Sequence, residues 1–520
     1  MKISIRLLTV ATNLSVLAMV ASAQNATWTG SLSTEWNTDL NWNPNTSVPT
    51  GTATFNLSGT RAVNVDGATT IDRMAISGSG NWTFSGSALT IAGADTGSGT
   101  RPLSINDSAQ ITFQNEVIFG SSQSTSGNFG QLDIVAQANG AKVVFEQGIR
   151  GNSGIDPFVF RTVQRIAAGG AEVVIKNQIA DIDQIIYSTS NSTLDLQASS
   201  SVSISTTFAA DNGVLKLGND NALGTGSLIL NQSSSGGAAI TLEATGAART
   251  FSNALTLNGG YSNSDVGIFK VSGDYDLKFT GSTTLSRHAS IEVAANRRFE
   301  LGGGVTGGRN LSKSGAGTMV LSGTGISYSG STTVSAGTLL INGAQSESTA
   351  HIYVTGTGVL GGTGSTNRNI TFQSNGGSGG LNPGDALVNG GIGTFTVIGG
   401  NKTVTLLSDT QLTFDIQSAV SHDQFVVNGN LILDGVLNIN DLGLSEIGDF
   451  LLISYTGTFT NNGLVLGNTP LGWDAVINTS TSGQVWLQVN AIPEPSTALL
   501  LSLGAGTLLS CYRRKRTVLS

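Results

Sequence analysis

The chain has one cysteine, Cys511, close to its C-terminus. A disulfide framework in the body is thereby excluded. Its three histidines, His288, His351 and His422, stand in unrelated contexts. No H-E-x-x-H, no Cys/His cluster and no Walker-type loop occurs, so neither a metal nor a cofactor is expected. Gly-x-Gly and Gly-x-Ser-x-Gly phrases are frequent, but among 69 glycines they carry no signal, and no strand–helix unit follows them. Prolines number only 8, and charged residues make up 11%, against ~25% in an average globular chain. Length alone suggests about three or four domains, yet no Pro-rich linker or charge run divides the middle. Lys and Arg total 25 against 33 Asp and Glu, a balance that points away from nucleic acid.

What fills the chain is Gly, Ser, Thr and Asn around 39% hydrophobic residues. One phrase recurs: Gly, any residue, large apolar, any residue, large apolar. It reads Gly213-Val214-Leu215-Lys216-Leu217 and Gly226-Ser227-Leu228-Ile229-Leu230, and it also opens at Gly130, Gly267, Gly317, Gly337, Gly393, Gly429 and Gly435. Apolar residues two apart share one face of a strand. Gly is expected to supply a positive-φ corner before each strand. No segment between the two termini keeps a helical period, so the fold class is all-β.

Spacing selects the architecture. Gly317 to Gly337 is twenty residues and Gly337 to Gly358 is twenty-one, the length of one turn of a three-sided parallel β-helix. Repeats of this period mark solenoids, whose single coils do not stand alone but share a continuous core when stacked. The alternative is a row of β-sandwiches, which calls for domain-sized blocks and linkers. Trp28, Trp36 and Trp42 lie within fifteen residues. They are expected to cover the open first coil, with stacking on sugar rings as the alternative. Trp473 and Trp486 are expected to do the same at the far end, where residues 411–490 form a β-rich C-terminal part or cap.

Both termini read as processing signals. Lys2 and Arg6 precede a mostly apolar stretch, and Ala21-Ser22-Ala23 is an A-x-A cleavage site with Gln24 as the mature start. Residues 1–23 are thus a secretory signal peptide. At the other end, Pro493-Glu494-Pro495-Ser496 precedes an apolar run over 498–509, then Arg513, Arg514, Lys515 and Arg516. Residues 497–512 span ~24 Å as a helix, slightly short of a ~30 Å hydrocarbon core, so the arginines must snorkel. The basic cluster stays cytoplasmic by the positive-inside rule, and everything before Pro493 lies outside. An ordinary membrane anchor is the alternative. Removal of both ends leaves 19 basic and 33 acidic residues, a net charge of −14, suited to a soluble or matrix-associated surface protein.

The tail over 491–520 resembles the PEP-CTERM sorting signal read by exosortases. The resemblance implies a transient membrane helix and cleavage near Pro493, Glu494 and Pro495 by a membrane protease with a cysteine nucleophile. This chain would be its substrate, and Cys511 is not a nucleophile. Within the body, residues 310–341 carry a second resemblance. Asn310-Leu311-Ser312-Lys313-Ser314-Gly315-Ala316-Gly317-Thr318-Met319-Val320-Leu321-Ser322-Gly323 leads to Tyr328-Ser329-Gly330-Ser331-Thr332-Thr333-Val334 and Ala336-Gly337-Thr338-Leu339-Leu340-Ile341. This is similar to the autotransporter-associated β-strand repeat of exported, adhesin-like passengers, although Ile326-Ser327 replaces the usual Asn-Thr before the tyrosine. Gly218-Asn219-Asp220-Asn221-Ala222-Leu223-Gly224-Thr225-Gly226 and Leu381-Asn382-Pro383-Gly384-Asp385 resemble other passenger phrases. The resemblance implies a right-handed parallel β-helix over 24–410. Autotransporters end in a membrane β-barrel, whereas the sorting tail stands here instead.

Two functions are carried forward. The first is a noncatalytic, adhesin-like structural protein of the surface or extracellular matrix of a Gram-negative-type bacterium. Signal peptidase and an exosortase process it, and its partners are exopolysaccharide or surface proteins rather than nucleic acid. The second is a β-helix polysaccharide lyase or glycoside hydrolase, which needs clustered carboxylates. Asp415 and Asp423, eight apart beside His422, are expected to be a solvated strand edge and turn. Asp265, Asp274 and Asp276 lack the nonapeptide repeats of a calcium-binding β-roll.

Overall fold

The computed structural model describes residues 23–491, apart from 94–101, 106–107, 121–130, 134–139, 152–158, 164–169, 189, 233–237, 260–264, 348 and 445–446. Ala21, the sorting motif Pro493, Glu494 and Pro495, the apolar run and the basic cluster Arg513, Arg514, Lys515 and Arg516 lie outside the described residues. Among the described residues no helix is long and apolar enough to cross a membrane.

Short strands wind through three parallel ladders. The first face begins with Ala26–Trp28 and Thr52–Phe55 and climbs to Val305–Thr306. It resumes, through a bridge between Ile326 and Gln345, into Ala344–Gln345 and on to Gly448–Tyr455. The second face runs from Thr60–Val65 to Phe459–Asn461 as seventeen described strands, each parallel to the one before. The third runs from Thr69–Ile71 to Ile179–Ala180, and from Arg249–Phe251 to Val465–Leu466. Thr332–Ile341, His351–Gly362 and Asn369–Pro383 each turn a corner and serve both the second and third faces. The all-β expectation holds: the only described helices are two three-residue 3-10 turns.

The recurrent phrase forms these strands as its pattern requires. In Ser227–Asn231, Leu228 and Leu230 are buried while Ser227 and Ile229 face outward. Inward residues of successive coils meet in columns. Phe84, Phe113 and Phe145 stack at 5.1 and 5.2 Å, and Tyr187 on Phe208 at 5.2 Å, close to the ~4.8 Å strand spacing that sets them. The period of about twenty holds where the sequence displays it, since Thr318 pairs with Thr338. Elsewhere coils lengthen, and Ile370 pairs with Val404, thirty-four residues on.

The glycine of the phrase has a different reason from the expected one. Among the described phrase glycines, Gly337 (φ 61°) and Gly435 (φ 109°) have positive φ, and the others do not. What those exclude is a side chain. A Cβ on Gly317 would lie 2.1 Å from the Ala294 carbonyl oxygen, and one on Gly429 2.3 Å from that of Lys402. Close approach of the preceding coil, not backbone conformation, demands glycine there.

The ends are closed differently. Trp42–Asn43 adds antiparallel to Ala26–Trp28. Trp28 and Trp36 pack edge-on against Trp42 at 5.0 and 4.9 Å, over Phe55, and Trp42 Nε1 donates to the Trp36 carbonyl at 2.8 Å. All three rings are buried, so they plug the first coil and offer no platform to a sugar. At the other end the parallel ladders pass residue 410 without a break. Gln484–Ala491 then pairs antiparallel with Gly448–Tyr455, and Asp474–Asn478 lies beyond it. Trp473 packs against the core edge. Trp486 departs from its expected role: Val485, Leu487 and Val489 point inward, and Trp486 lies half-buried on the outer side.

A candidate binding cleft on the third face

The longest coil makes an overhang. After Asn369–Pro383 the chain leaves the ladder at Gly384 (φ 95°), forms the turn Asn389–Gly391 and returns through Gly393 into Thr394–Val397. The excursion carries Asp385, of the passenger-like phrase, onto the outer wall of earlier coils. Arg298 Nη1 and Nη2 donate to its two carboxylate oxygens at 3.1 and 2.7 Å, Asn342 Nδ2 donates at 2.7 Å, and the Leu387 amide at 3.1 Å. Burial alone would raise the Asp385 pKa. The Arg298 guanidinium and the two amides outweigh it and hold the carboxyl below its ordinary range.

The root of the overhang is fixed by Asp423. Its carboxylate is buried and accepts the Gly393 and Asp415 amides, each at 2.8 Å. Burial pushes its pKa up to about 7 despite those two donors, and the neighbouring Asp415 charge adds to the rise. Asp423 is therefore no solvated edge residue. Asp423 sits between Ser421–His422 and Gln424–Val427, and Gly384 and Gly393, which cover it, come from the preceding coil. Asp415 itself is half-buried and accepts Asn440 Nδ2 at 2.9 Å.

Between overhang and wall lies a cleft of about 400 Å³. Its floor is Thr318, Thr338 and the outward but buried Leu340. Asp276, Asn296, Arg297 and Arg298 form one side, Asn382 and Asp415 the other, and Asp385, Ala386, Leu387 and Gly391 the roof. Asp276 Oδ1 accepts the Arg298 amide at 2.9 Å. Asp385 and Asp423 have both oxygens engaged by fixed donors, so neither is placed as an acid or a nucleophile.

Two fully buried cations escaped the sequence reading. Lys313 points inward, and its Nζ donates to the carbonyls of Ser314 and Gly315 at 2.8 Å and of Ala336 at 3.1 Å. Burial lowers its pKa to about 8. Arg368 lies 4.4 Å over the Tyr328 ring, and it donates to the Gly330 carbonyl at 2.8 Å and to the Tyr328 carbonyl. Lys313 ties its corner to the next coil, and Arg368 reaches back two coils. The signal was present as a cation at an inward position of the strand pattern, Leu311-Ser312-Lys313.

The histidines remain apart. His288 Nδ1 accepts the Asn310 amide at 3.0 Å, His351 lies against Tyr353, and His422 Nε2 is 3.2 Å from the Leu451 carbonyl. Among the described residues no three His, Cys, Asp or Glu side chains are grouped to hold a metal ion. Of the signal-peptide site, Ala23 and Gln24 are described and exposed, and the Gln24 carbonyl accepts the Thr50 and Gly51 amides at 3.1 and 2.8 Å.

With this geometry in view, the comparisons fall on the same stack. The family model of the passenger-associated-transport-repeat (PATR) matches residues 311–341, the coils that hold Lys313 and the cleft floor. The chain is 31% identical over 183 residues to the "Adhesin BmaC autotransporter" of Brucella suis biovar 1 (strain 1330). That match takes in 35% of this chain and 5% of the length of the adhesin. A solved structure, the Haemophilus influenzae Hap adhesin, aligns with 84% of this chain and 64% of its own at 13% identity. Its TM-score is 0.20, which carries no argument.

Proposed function

We propose that the chain is an exported, noncatalytic, adhesin-like surface protein whose body is a right-handed β-helical stalk. The observation that carries this reading is the passenger-type repeat at 311–341, built into three ladders that run from a tryptophan plug to an antiparallel cap. Right-handed winding follows the rule for parallel crossovers. Signal peptidase cuts after Ala23, and an exosortase acts at Pro493, Glu494 and Pro495 after the Arg513–Arg516 cluster has halted export. The mature protein then occupies the cell surface or extracellular matrix of a Gram-negative-type bacterium, with exopolysaccharide or surface proteins as partners. The fixed engagement of Asp385 and Asp423 speaks against the lyase or hydrolase reading.

The test is replacement of Pro493, Glu494 and Pro495 by Ala in the native host. A longer, membrane-held precursor is expected by intact-mass measurement, and protease shaving of cells should lose the mature form. Normal processing of the variant refutes exosortase sorting.

A further inference from the structure

We propose that the cleft under the 384–393 overhang binds an uncharged hexose unit of a glycan chain. The proposal deepens the surface-protein reading and rests on it only for ligand class. Its volume of about 400 Å³ falls within the ~300–1,000 Å³ of ligand sites. The lining is polar, whereas sites for drug-like ligands are mostly apolar, and a polar lining suits a hydroxyl-rich ligand.

The donors and acceptors are present and uncommitted. Thr318 and Thr338 stand opposite each other in the ladder, and both alternate outward into the cleft. Among the described residues neither hydroxyl has a hydrogen-bond partner, nor does the side-chain amide of Asn296. A pair of hydroxyls on adjacent strands is about 4.8 Å apart, a spacing that vicinal sugar hydroxyls can bridge. Leu340 beside them offers the apolar contact that the C–H face of a pyranose needs. Over this floor the roof is held by the Arg298–Asp385 pair rather than by the ligand, so the site is formed before binding and little ordering opposes it.

Charge sets the class. Three carboxylates, Asp276, Asp385 and Asp415, face the cleft against two guanidinium groups, Arg297 and Arg298. Arg298 is matched by Asp385, which leaves the carboxylates of Asp276 and Asp415 against the single guanidinium of Arg297, itself turned to the Asp274 carbonyl. The remaining charge of the rim is negative by one and disfavours uronic acids.

The experiment uses the full chain in detergent. Glucose, mannose and galactose tetrasaccharides are titrated by calorimetry and saturation-transfer NMR beside a tetragalacturonate. At least one neutral probe should bind, about tenfold or more tighter than the acidic one. The double variant Thr318→Val, Thr338→Val keeps β-branched shape and should weaken that binding about tenfold with an unchanged melting temperature. Absence of neutral binding, equal binding of the acidic probe, or an unaffected double variant overturns the proposal. Failure of export or sorting in cells leaves these outcomes with purified protein unchanged, so the two readings fail separately.

Discussion

Arg298 and Asp385 are eighty-seven residues apart in sequence, and two hydrogen bonds of 3.1 and 2.7 Å join them. The pair spans several coils and anchors the overhang on a wall built long before it in the chain. With side-chain exposures of 17% and 1%, the arginine is half-buried and the carboxylate buried, and loss of Arg298 strands Asp385. Asp385→Ala or Arg298→Ala should cost about 3–5 kcal/mol. Away from the overhang the ladder bonds join each coil to its neighbours, so the damage stays local. Hydrogen exchange should accelerate at the Leu387 and Gly393 amides and stay unchanged near Trp36.

Asp423 makes the same region sensitive to acid in an unusual direction. Its folded pKa of about 7 lies above the ordinary 3.8. The folded state therefore holds the proton more tightly between these values, and this group's contribution to stability grows as pH falls from about 7 to 4. The difference in melting temperature between the wild type and Asp423→Asn should shift toward the wild type over that window. A constant difference would contradict the buried carboxyl.

Lys313 acts at the alkaline end. Its folded pKa of about 8 lies below the ordinary 10.5. The unfolded chain holds the proton more tightly in between, so stability rises as pH climbs from about 8 to 10.5, and the burial penalty is complete below 8. Lys313→Met, which fills the same space without a charge, should remove this rise from melts recorded between pH 8 and 10.

The glycines separate into two kinds by substitution. Gly317→Ala places a methyl 2.1 Å from the Ala294 oxygen and should destabilise by about 1–3 kcal/mol through forced separation of coils. Gly400→Ala meets open space at ordinary φ and should be neutral or stabilising by up to about 1 kcal/mol. Chemical denaturation of the two variants, both at ordinary φ, isolates the cost of close packing.

The strand phrase, the absence of helix and the tryptophan plug were legible because each depends on neighbours in sequence. Leu228 and Leu230 declare their face within five residues, and Trp28, Trp36 and Trp42 within fifteen. The cleft was illegible because its parts come from coils far apart. Nothing near Asp385 in sequence names Arg298, and nothing near Asp423 announces burial under Gly384 and Gly393. Lys313 was overlooked for another reason. A cation at an inward position contradicts the hydrophobic pattern unless the carbonyls of the next corner are there to receive it, and Ala336 supplies one from twenty-three residues on.

The tryptophan plug also gives the molecule a direction of growth. In a chain that emerges from a membrane amino end first, Trp28, Trp36 and Trp42 arrive before any ladder exists and close one end at once. Every later coil then condenses on an edge already made, and the chain to be looped at each step is a single turn, twenty-one residues from Thr52 to Arg73. Loop-closure entropy rises only slowly with length, so the longest step, thirty-four residues from Ile370 to Val404, is little harder than the first. Assembly becomes a zipper with one starting point.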